Sequence, residues 1–114
     1  MSDDCLFCQI ASGEAESDVV AEGDRWLAFR DVNPQAPSHV LVIPREHVEN
    51  LDDLDPDQTE LAGELLMAAR RVAEQEGLDE GYRVVANTNR QAGQSVFHLH
   101  FHVLGGRAMG WPPG

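Results

Sequence analysis

Residues 97–106, FHLHFHVLGG, alternate apolar and histidine side chains and end in two glycines. Strict alternation over so short a run predicts a β-strand over 97–104, because successive side chains of a strand point to opposite faces of the sheet. The imidazoles of His98, His100 and His102 therefore share one face, about 6.5–7 Å apart at each step. The opposite face, which we expect to meet the core, carries Leu99, Phe101 and Val103.

Three imidazoles on one face of a strand have two chemical uses. They can ligate a catalytic metal. Alternatively, one neutral imidazole acts as a nucleophile while its neighbours orient it and stabilise developing charge. A solvent-exposed polar face is the third interpretation, although threonine and charged residues fill such positions more often. Spacing alone does not choose among them.

The flanking segments predict further short elements. Residues 5–12 predict a short helix that Gly13 ends. We expect further strands over 18–22, 25–30, 39–44 and 82–87, of which the first two form a hairpin. The polar segment 89–95 is predicted to be a loop, because it contains Asn, Gln and Gly.

One long amphipathic helix is predicted between Asp55, a suitable N-cap, and Glu76, with Gly77 closing it. Its apolar side comprises Leu61, Leu65, Leu66, Ala69 and Val72. The order helix, hairpin, strand, long helix, strand, strand lacks the βαβ alternation of doubly wound folds. We therefore expect an α+β fold, with an antiparallel sheet of about five strands and the long helix packed on one face.

Composition limits the classes of function. The chain has 114 residues, of which 42% are hydrophobic, so we expect one globular domain over 1–114. Its 20 acidic residues against 8 arginines give a formal charge of -12. Such a surface repels nucleic acid. An acidic N-terminus without a basic signal region, and no apolar run long enough for a membrane helix, predict a cytoplasmic protein that does not bind membranes.

The chain resembles the histidine triad (HIT) superfamily. The HLHFHVLGG stretch is similar to the superfamily signature, in which three histidines alternate with apolar residues. The similarity continues through CLFCQI, AFRDVNPQAPSHVLVIPREH, GYRVVAN, GQSVFHLHFHVLGG and WPPG, and so covers nearly the whole chain. GQS before the triad and the WPPG tail favour the Hint branch over the diadenosine-polyphosphate hydrolase branch.

This resemblance implies a homodimeric α+β fold that hydrolyses or transfers nucleoside 5′-monophosphate groups. In the Hint branch the substrates are purine nucleoside phosphoramidates and aminoacyl adenylates. His100 matches the nucleophile, which forms a nucleotidyl-histidine that water resolves. His102 and Ser95 match its catalytic neighbours, and the chemistry requires no metal. His39 matches a histidine that hydrogen-bonds within the triad and helps to move a proton to the leaving amine. The alternative is a dimer that binds nucleotides or partners with only residual hydrolysis.

The resemblance also implies a substrate site. Asp31 matches the residue that holds the ribose hydroxyls, although it could equally be a turn aspartate. Asn87 matches a residue near the phosphate, or forms a turn, and Ser95 supplies a hydroxyl. Backbone N–H groups at the phosphate come from Gly93 and Gln94. An apolar slot for the base, or alternatively ordinary core, comprises Leu6, Phe7, Phe29 and Val32. Trp111 matches a tail residue that reaches the partner subunit's active site.

The Cys5–Cys8 pair is a CxxC motif, which by itself indicates a redox pair or half of a metal site. In metal-bearing relatives of this superfamily, zinc is held by such a pair and two histidines. The matching residues here are Cys5, Cys8, His47 and His98. Four protein ligands make a closed, structural zinc site. The alternative is two buried thiols with His47 exposed.

Overall fold

The structure is a computed structural model that describes residues 4–114. Its helices and strands are α1 (Leu6–Ser12), β1 (Val19–Glu22), β2 (Trp26–Arg30), β3 (Ser38–Pro44), α2 (Thr59–Gln75), β4 (Tyr82–Val85) and β5 (Phe101–Gly105). Short 3-10 turns occupy Leu51–Asp53, Pro56–Gln58 and Arg90–Ala92. The five strands of this part of the chain form one antiparallel sheet in the order β1-β2-β3-β5-β4. The predicted α+β fold is therefore confirmed.

Strand β3 is the centre of the molecule, and all seven of its residues are buried. Val40 and Val42 belong to the core under α2, whereas Leu41 and Ile43 pack with Phe7 of α1 on the other face. A strand that is covered on both faces has a nearly continuous apolar sequence, which explains the run HVLVI. The sheet is thus a middle layer with α2 on one side and α1 on the other.

Helix α2 begins with a 3-10 turn rather than directly after Asp55. Asp55 and Gln58 form a capping box, in which the Asp55 N–H donates to Gln58 Oε1 over 2.8 Å. At the other end, Gly77 has a φ of 72°, the left-handed conformation that favours glycine. The buried face comprises Leu61, Leu65, Ala68, Ala69, Val72 and Ala73.

The assignment of Leu66 to that face is wrong. Leu66 is 53% exposed, and the neighbouring Met67 is 58% exposed. Each residue turns a helix by about 100°, so two residues that follow the buried Leu65 point away from the sheet. Exposed apolar side chains also occur on edge strand β4, at Tyr82 and Val84.

Two strand boundaries also differ from the prediction by more than one residue. Strand β4 ends at Val85 rather than at 87, and β5 begins at Phe101 rather than at 97. The last β3–β5 pair is Val42 with Phe101, and Pro44, two residues further along β3, has no N–H to continue the ladder. The Leu99 N–H instead donates to Val48 O over 2.6 Å.

The alternation predicted for 98–103 nevertheless persists. Leu99, Phe101 and Val103 belong to the core under α2, whereas His100 packs against Phe7 of α1. The imidazoles therefore lie on the sheet face opposite α2. In residues 4–114 we find no helix that is long and apolar enough to cross a bilayer.

The sheet–helix core predicts a clear stability difference between two leucines. Leu65 is completely buried, whereas Leu51 is 41% exposed. We expect Leu65→Ala to lower the free energy of unfolding by about 2–5 kcal/mol, because it leaves a cavity under β3, and Leu51→Ala to cost less than about 1 kcal/mol. Urea unfolding of the two variants measures this difference. Equal losses would contradict the packing described.

Candidate active site and metal centre

His100 has one ring nitrogen fixed by the backbone. Its Nδ1 lies 2.8 Å from the carbonyl oxygen of His98, and the residue is 9% exposed. A carbonyl oxygen only accepts hydrogen bonds, so Nδ1 carries the proton. Nε2 of the neutral ring therefore keeps its lone pair, which is the form that a nucleophile needs.

His39 and His102 form a directional hydrogen-bonded pair. The backbone N–H of Gln35 donates to His39 Nδ1 over 3.0 Å, so the proton of the neutral His39 ring is on Nε2. That Nε2–H lies 2.9 Å from His102 Nδ1 and donates to it. The remaining proton of His102 is consequently on its own Nε2, which makes this ring a hydrogen-bond donor at its outer nitrogen.

The same protonation pattern bears on the metal interpretation of the histidines. Ligand atoms of Asp31, His39 and His102 all lie within 4.8 Å of one another. A metal bound here would need the lone pair of His39 Nε2, because Nδ1 already accepts the Gln35 N–H. That nitrogen carries the proton, so the hydrogen bonding fits an organic acid–base pair better than a metal centre.

Burial keeps the three rings neutral. It lowers the pKa of His100 below the ordinary value, despite the opposing hydrogen bond to the His98 carbonyl. Burial also lowers the pKa of His39, against the attraction of Asp31. In His102, burial and then the neighbouring rings lower the pKa to about 4. A neutral, lone-pair-bearing His100 is therefore the form present near pH 7.

A pocket of about 470 Å³ opens over these rings. Most of the predicted site residues line it: Leu6, Phe7, Phe29, Asp31, Val32, His39, Ser95, His100 and His102. Phe7 and Phe29 are buried and contact each other edge to face, with ring centroids 5.3 Å apart. Leu6 and Val32 are instead 52% and 99% exposed at its wall. Exposed apolar groups around a cleft are typical of a binding site.

Asp31 makes the predicted turn contact and also lines the pocket. Its Oδ1 accepts the N–H of Asn33 over 2.9 Å, which is the turn interaction. Its Oδ2 lies 3.4 Å from His39 Nε2. The side chain thus braces the turn after β2 and faces the histidine pair within the pocket.

Four predicted site residues do not line the pocket of the single chain: Asn87, Gly93, Gln94 and Trp111. The Gly93 N–H donates to Arg90 O over 2.9 Å, and the Gln94 N–H donates to Asn89 O over 3.1 Å. Both groups are already engaged within their loop, so their contact with a phosphate stays a prediction. Trp111 is 84% exposed on the tail.

The sequence interpretation missed several pocket residues. Walls of the cavity are also formed by Ile10, Glu16, Ser17, Gln35, Leu41 and Val96. The apolar positions of α1 and β3 were recognisable only as core. Gln35 acts through its backbone N–H, for which the sequence carries no signal.

The four predicted metal ligands form a second cluster, beside the pocket. Cys5 Sγ lies 3.4 Å from His98 Nδ1, and Cys8 Sγ lies 3.3 Å from His47 Nδ1. All four ligand atoms lie within 4.8 Å of one another. A tetrahedral zinc ion with two sulfur and two nitrogen ligands needs separations of about 3.5 Å, so this donor set fits zinc.

Backbone contacts orient two of these ligands. The Nε2–H of the fully buried His98 donates to Pro44 O over 2.9 Å, which turns the lone pair of Nδ1 towards the sulfurs. The Cys8 N–H lies 3.4 Å from Cys5 Sγ, at the start of α1. The cluster thereby joins α1 to the end of β3 and to the segment that leads into β5.

Comparison with known proteins agrees with this fold. The HIT domain family matches residues 12–109. The 14 kDa zinc-binding protein of Brassica juncea is 49% identical over 113 residues, or 97% of this chain and 100% of that protein. A HIT family hydrolase from Legionella pneumophila Philadelphia 1 has a TM-score of 0.94 at 50% identity, over 96% of this chain and 99% of that one.

A more distant structure, a histidine triad nucleotide-binding protein from Candida albicans, has a TM-score of 0.80 at 33% identity. It covers 95% of this chain and 82% of that one. The α+β fold is thus shared with these structures. The chain belongs to the HIT domain family.

The lowered pKa values predict how activity depends on pH. Burial holds the pKa of His39 below the ordinary histidine value of about 6.5 and lowers that of His102 to about 4, and only the neutral rings have the proton pattern described. We expect kcat/KM for hydrolysis to change less than about twofold between about pH 8 and about pH 6, and to fall towards about pH 4. A loss of most of the activity already at about pH 6 would show that these rings titrate normally.

Proposed function

We propose that this protein is a hydrolase that cleaves the phosphorus–nitrogen bond of purine nucleoside 5′-phosphoramidates, and the corresponding bond of aminoacyl adenylates. The observation that carries this proposal is the hydrogen bond from His100 Nδ1–H to His98 O, which leaves Nε2 as a nucleophile at the pocket wall. Membership of the HIT family supports it, as does the similarity to a HIT family hydrolase and to a histidine triad nucleotide-binding protein.

The reaction has two steps. His100 Nε2 attacks the α-phosphorus, a phosphorus–nitrogen bond forms to the ring, and the bond to the leaving amine breaks with its electron pair on the amine. Water then attacks the nucleotidyl-histidine, which releases the nucleoside monophosphate and restores His100. The sum is one phosphoramidate and one water giving one monophosphate and one amine.

The His39–His102 pair stabilises this transfer. His102 Nε2–H is a donor for the phosphoryl oxygens, on which negative charge accumulates. Its orientation depends on the Gln35 N–H, through His39. Because both rings are neutral, the pair donates a hydrogen bond without releasing a proton. The expected role of His39 in moving a proton to the leaving amine is therefore not retained, because its Nε2–H is engaged with His102, and that proton comes from solvent.

The pocket accommodates the remainder of the nucleotide. Phe7 and Phe29, with Leu6 and Val32 at the exposed wall, offer apolar surface to a purine. The Asp31 carboxylate at the same pocket is a suitable acceptor for the vicinal hydroxyls of a ribose. Ser95 supplies a hydroxyl, and Asn87, Gly93 and Gln94 lie on the adjoining segment.

A substitution at the nucleophile tests this function. We expect His100→Ala to lower kcat for release of AMP from an adenosine phosphoramidate at least about 1,000-fold, because no other group forms the covalent bond. Binding of AMP, measured by calorimetry, should change little. Rapid quenching of the wild-type reaction should give a chain whose mass is increased by one nucleotidyl group.

His102→Asn is the matched control, because this ring is a donor and not the nucleophile. It should slow the reaction and still give the nucleotidyl adduct, which His100→Ala should lack. An adduct in His100→Ala would refute the assignment. Tight AMP binding by the wild-type protein without catalytic turnover would instead favour the nucleotide-binding dimer.

A homodimer completes the proposed site. Edge strand β4 exposes Tyr82 and Val84, and the neighbouring helix α2 exposes Leu66 and Met67. An unpaired edge with exposed apolar side chains is a natural surface for a second copy. Trp111, on a tail that Arg83 holds through Gly110 O, then extends from one subunit towards the site of the other.

Two edge-strand substitutions test the dimer. Val84 on β4 and Val19 on β1 occupy opposite edges of the sheet and are 37% and 43% exposed. We expect Val84→Glu to give a monomer in sedimentation, because it places a charge in the interface, and Val19→Glu to stay dimeric. A wild-type monomer with full activity would contradict the dimer.

We further propose that Cys5, Cys8, His47 and His98 hold one structural zinc ion. Bound there, zinc supplies no reacting group and links α1 to the sheet through four protein ligands. His98 is then a metal ligand with a structural role, whereas His100 and His102 take part in the reaction. Zinc-binding relatives and the 3.3–3.5 Å contacts between sulfurs and imidazoles support this assignment.

Metal analysis tests this proposal. Protein purified without chelator should contain about one zinc per chain, and Cys8→Ser should lose it and unfold at a lower temperature, because metal binding contributes to folding. Chelation at a temperature where the fold persists should leave most of kcat. Prompt loss of activity with an intact fold would favour a catalytic metal, and an absence of zinc would refute the site.

A further inference from the structure

The most completely hydrogen-bonded side chain outside the histidine cluster is the carboxamide of Gln94, which is 4% exposed. Its Nε2 donates to Glu49 O over 2.7 Å and to Val96 O over 3.0 Å. Its Oε1 accepts the Asn89 N–H over 2.8 Å and Asn50 Nδ2 over 3.2 Å. Both donors and both acceptor positions are therefore used, and a flipped amide would place oxygen against two carbonyls.

A second buried carboxamide completes the network. Asn50 is also 4% exposed, and its Nδ2 donates to Asn89 Oδ1 as well as to Gln94 Oε1. Its Oδ1 accepts the Asp52 N–H. Two buried amides thus join the loop 89–96 to the segment 49–52, which follows the metal ligand His47.

The bonds of Gln94 lie on both sides of Ser95. Its backbone N–H donates to Asn89 O, and its side chain reaches past Ser95 to the carbonyl of Val96. Ser95 itself is exposed and lines the pocket. Asn89, whose N–H the side chain accepts, has a φ of 72°, which is rare for a non-glycine residue and persists only where neighbours hold it.

We propose that Gln94 is a positioning residue, whose carboxamide, supported by Asn50, holds the loop 89–96 in the conformation that presents Ser95 to the reacting phosphate. This inference rests on the proposed hydrolase function. It assigns a positioning role to the Gln94 side chain, whereas the family resemblance implied a role only for its backbone N–H. The Gln94 side chain does not line the pocket and acts through Ser95.

The test is a double-mutant cycle. We expect Gln94→Met, which keeps the shape of the side chain without its hydrogen bonds, to lower kcat at least about tenfold, because small displacements of a catalytic group are costly. KM should change less than about threefold, because the apolar walls and Asp31 lie on other segments. In a Ser95→Ala background the same substitution should lower kcat less than about twofold.

Gln75→Met is the matched control. The Gln75 side chain also bonds a backbone carbonyl, that of Val20 over 2.6 Å, at a place remote from the pocket. It should leave kcat unchanged in both backgrounds. Asn50→Asp is the second variant in case Gln94→Met does not fold. It keeps the oxygen that accepts the Asp52 N–H but removes the donor to Gln94, and it should repeat the loss of kcat.

Amide hydrogen exchange gives a result that does not depend on turnover. The Asn89 N–H should exchange at least about tenfold faster in Gln94→Met, and unchanged in Gln75→Met, because only the former removes its acceptor. Unchanged exchange at Asn89, or equal losses of kcat with and without Ser95, would overturn the inference. A wild-type protein without phosphoramidase activity would refute the proposed function, and the exchange measurement would still decide whether Gln94 holds the loop.

Discussion

The hydrogen bond between His100 Nδ1–H and the His98 carbonyl is the interaction on which the proposed chemistry depends, because it leaves Nε2 of His100 with its lone pair. The same principle recurs at two other rings. The Gln35 N–H determines the proton of His39, and the Pro44 carbonyl that of His98. Backbone groups therefore determine the ring protons of His100, His39 and His98 directly, and that of His102 through His39.

These backbone contacts depend on the central position of β3. Its Val40 and Val42 fill the space under α2, so its other face is free to carry His39 beside Leu41. Pro44 ends the ladder with β5 and leaves its carbonyl for His98. One strand thus supports the core, the hydrogen-bonded pair and the metal cluster, and its burial excludes the water that would otherwise favour charged imidazoles.

The sequence predicted the parts that depend on periodicity. Alternation placed His100 and Leu99 on opposite faces, although the ladder itself stops at Phe101 because of Pro44, a residue of another strand. Leu66 was wrongly assigned to the core, because a run of apolar residues does not show which one faces the sheet. The ring protons could not be predicted, since they depend on backbone groups such as the Gln35 N–H that only the fold brings near.

Nitrogen-15 NMR of the histidine rings at about pH 7 tests the central claim most directly, since it reports which ring nitrogen carries the proton. The account predicts that His100 is neutral with its proton on Nδ1, and that His39 and His102 are neutral with their protons on Nε2. A His100 ring protonated on Nε2, or doubly protonated at this pH, would leave no nucleophile at the pocket wall and would contradict it.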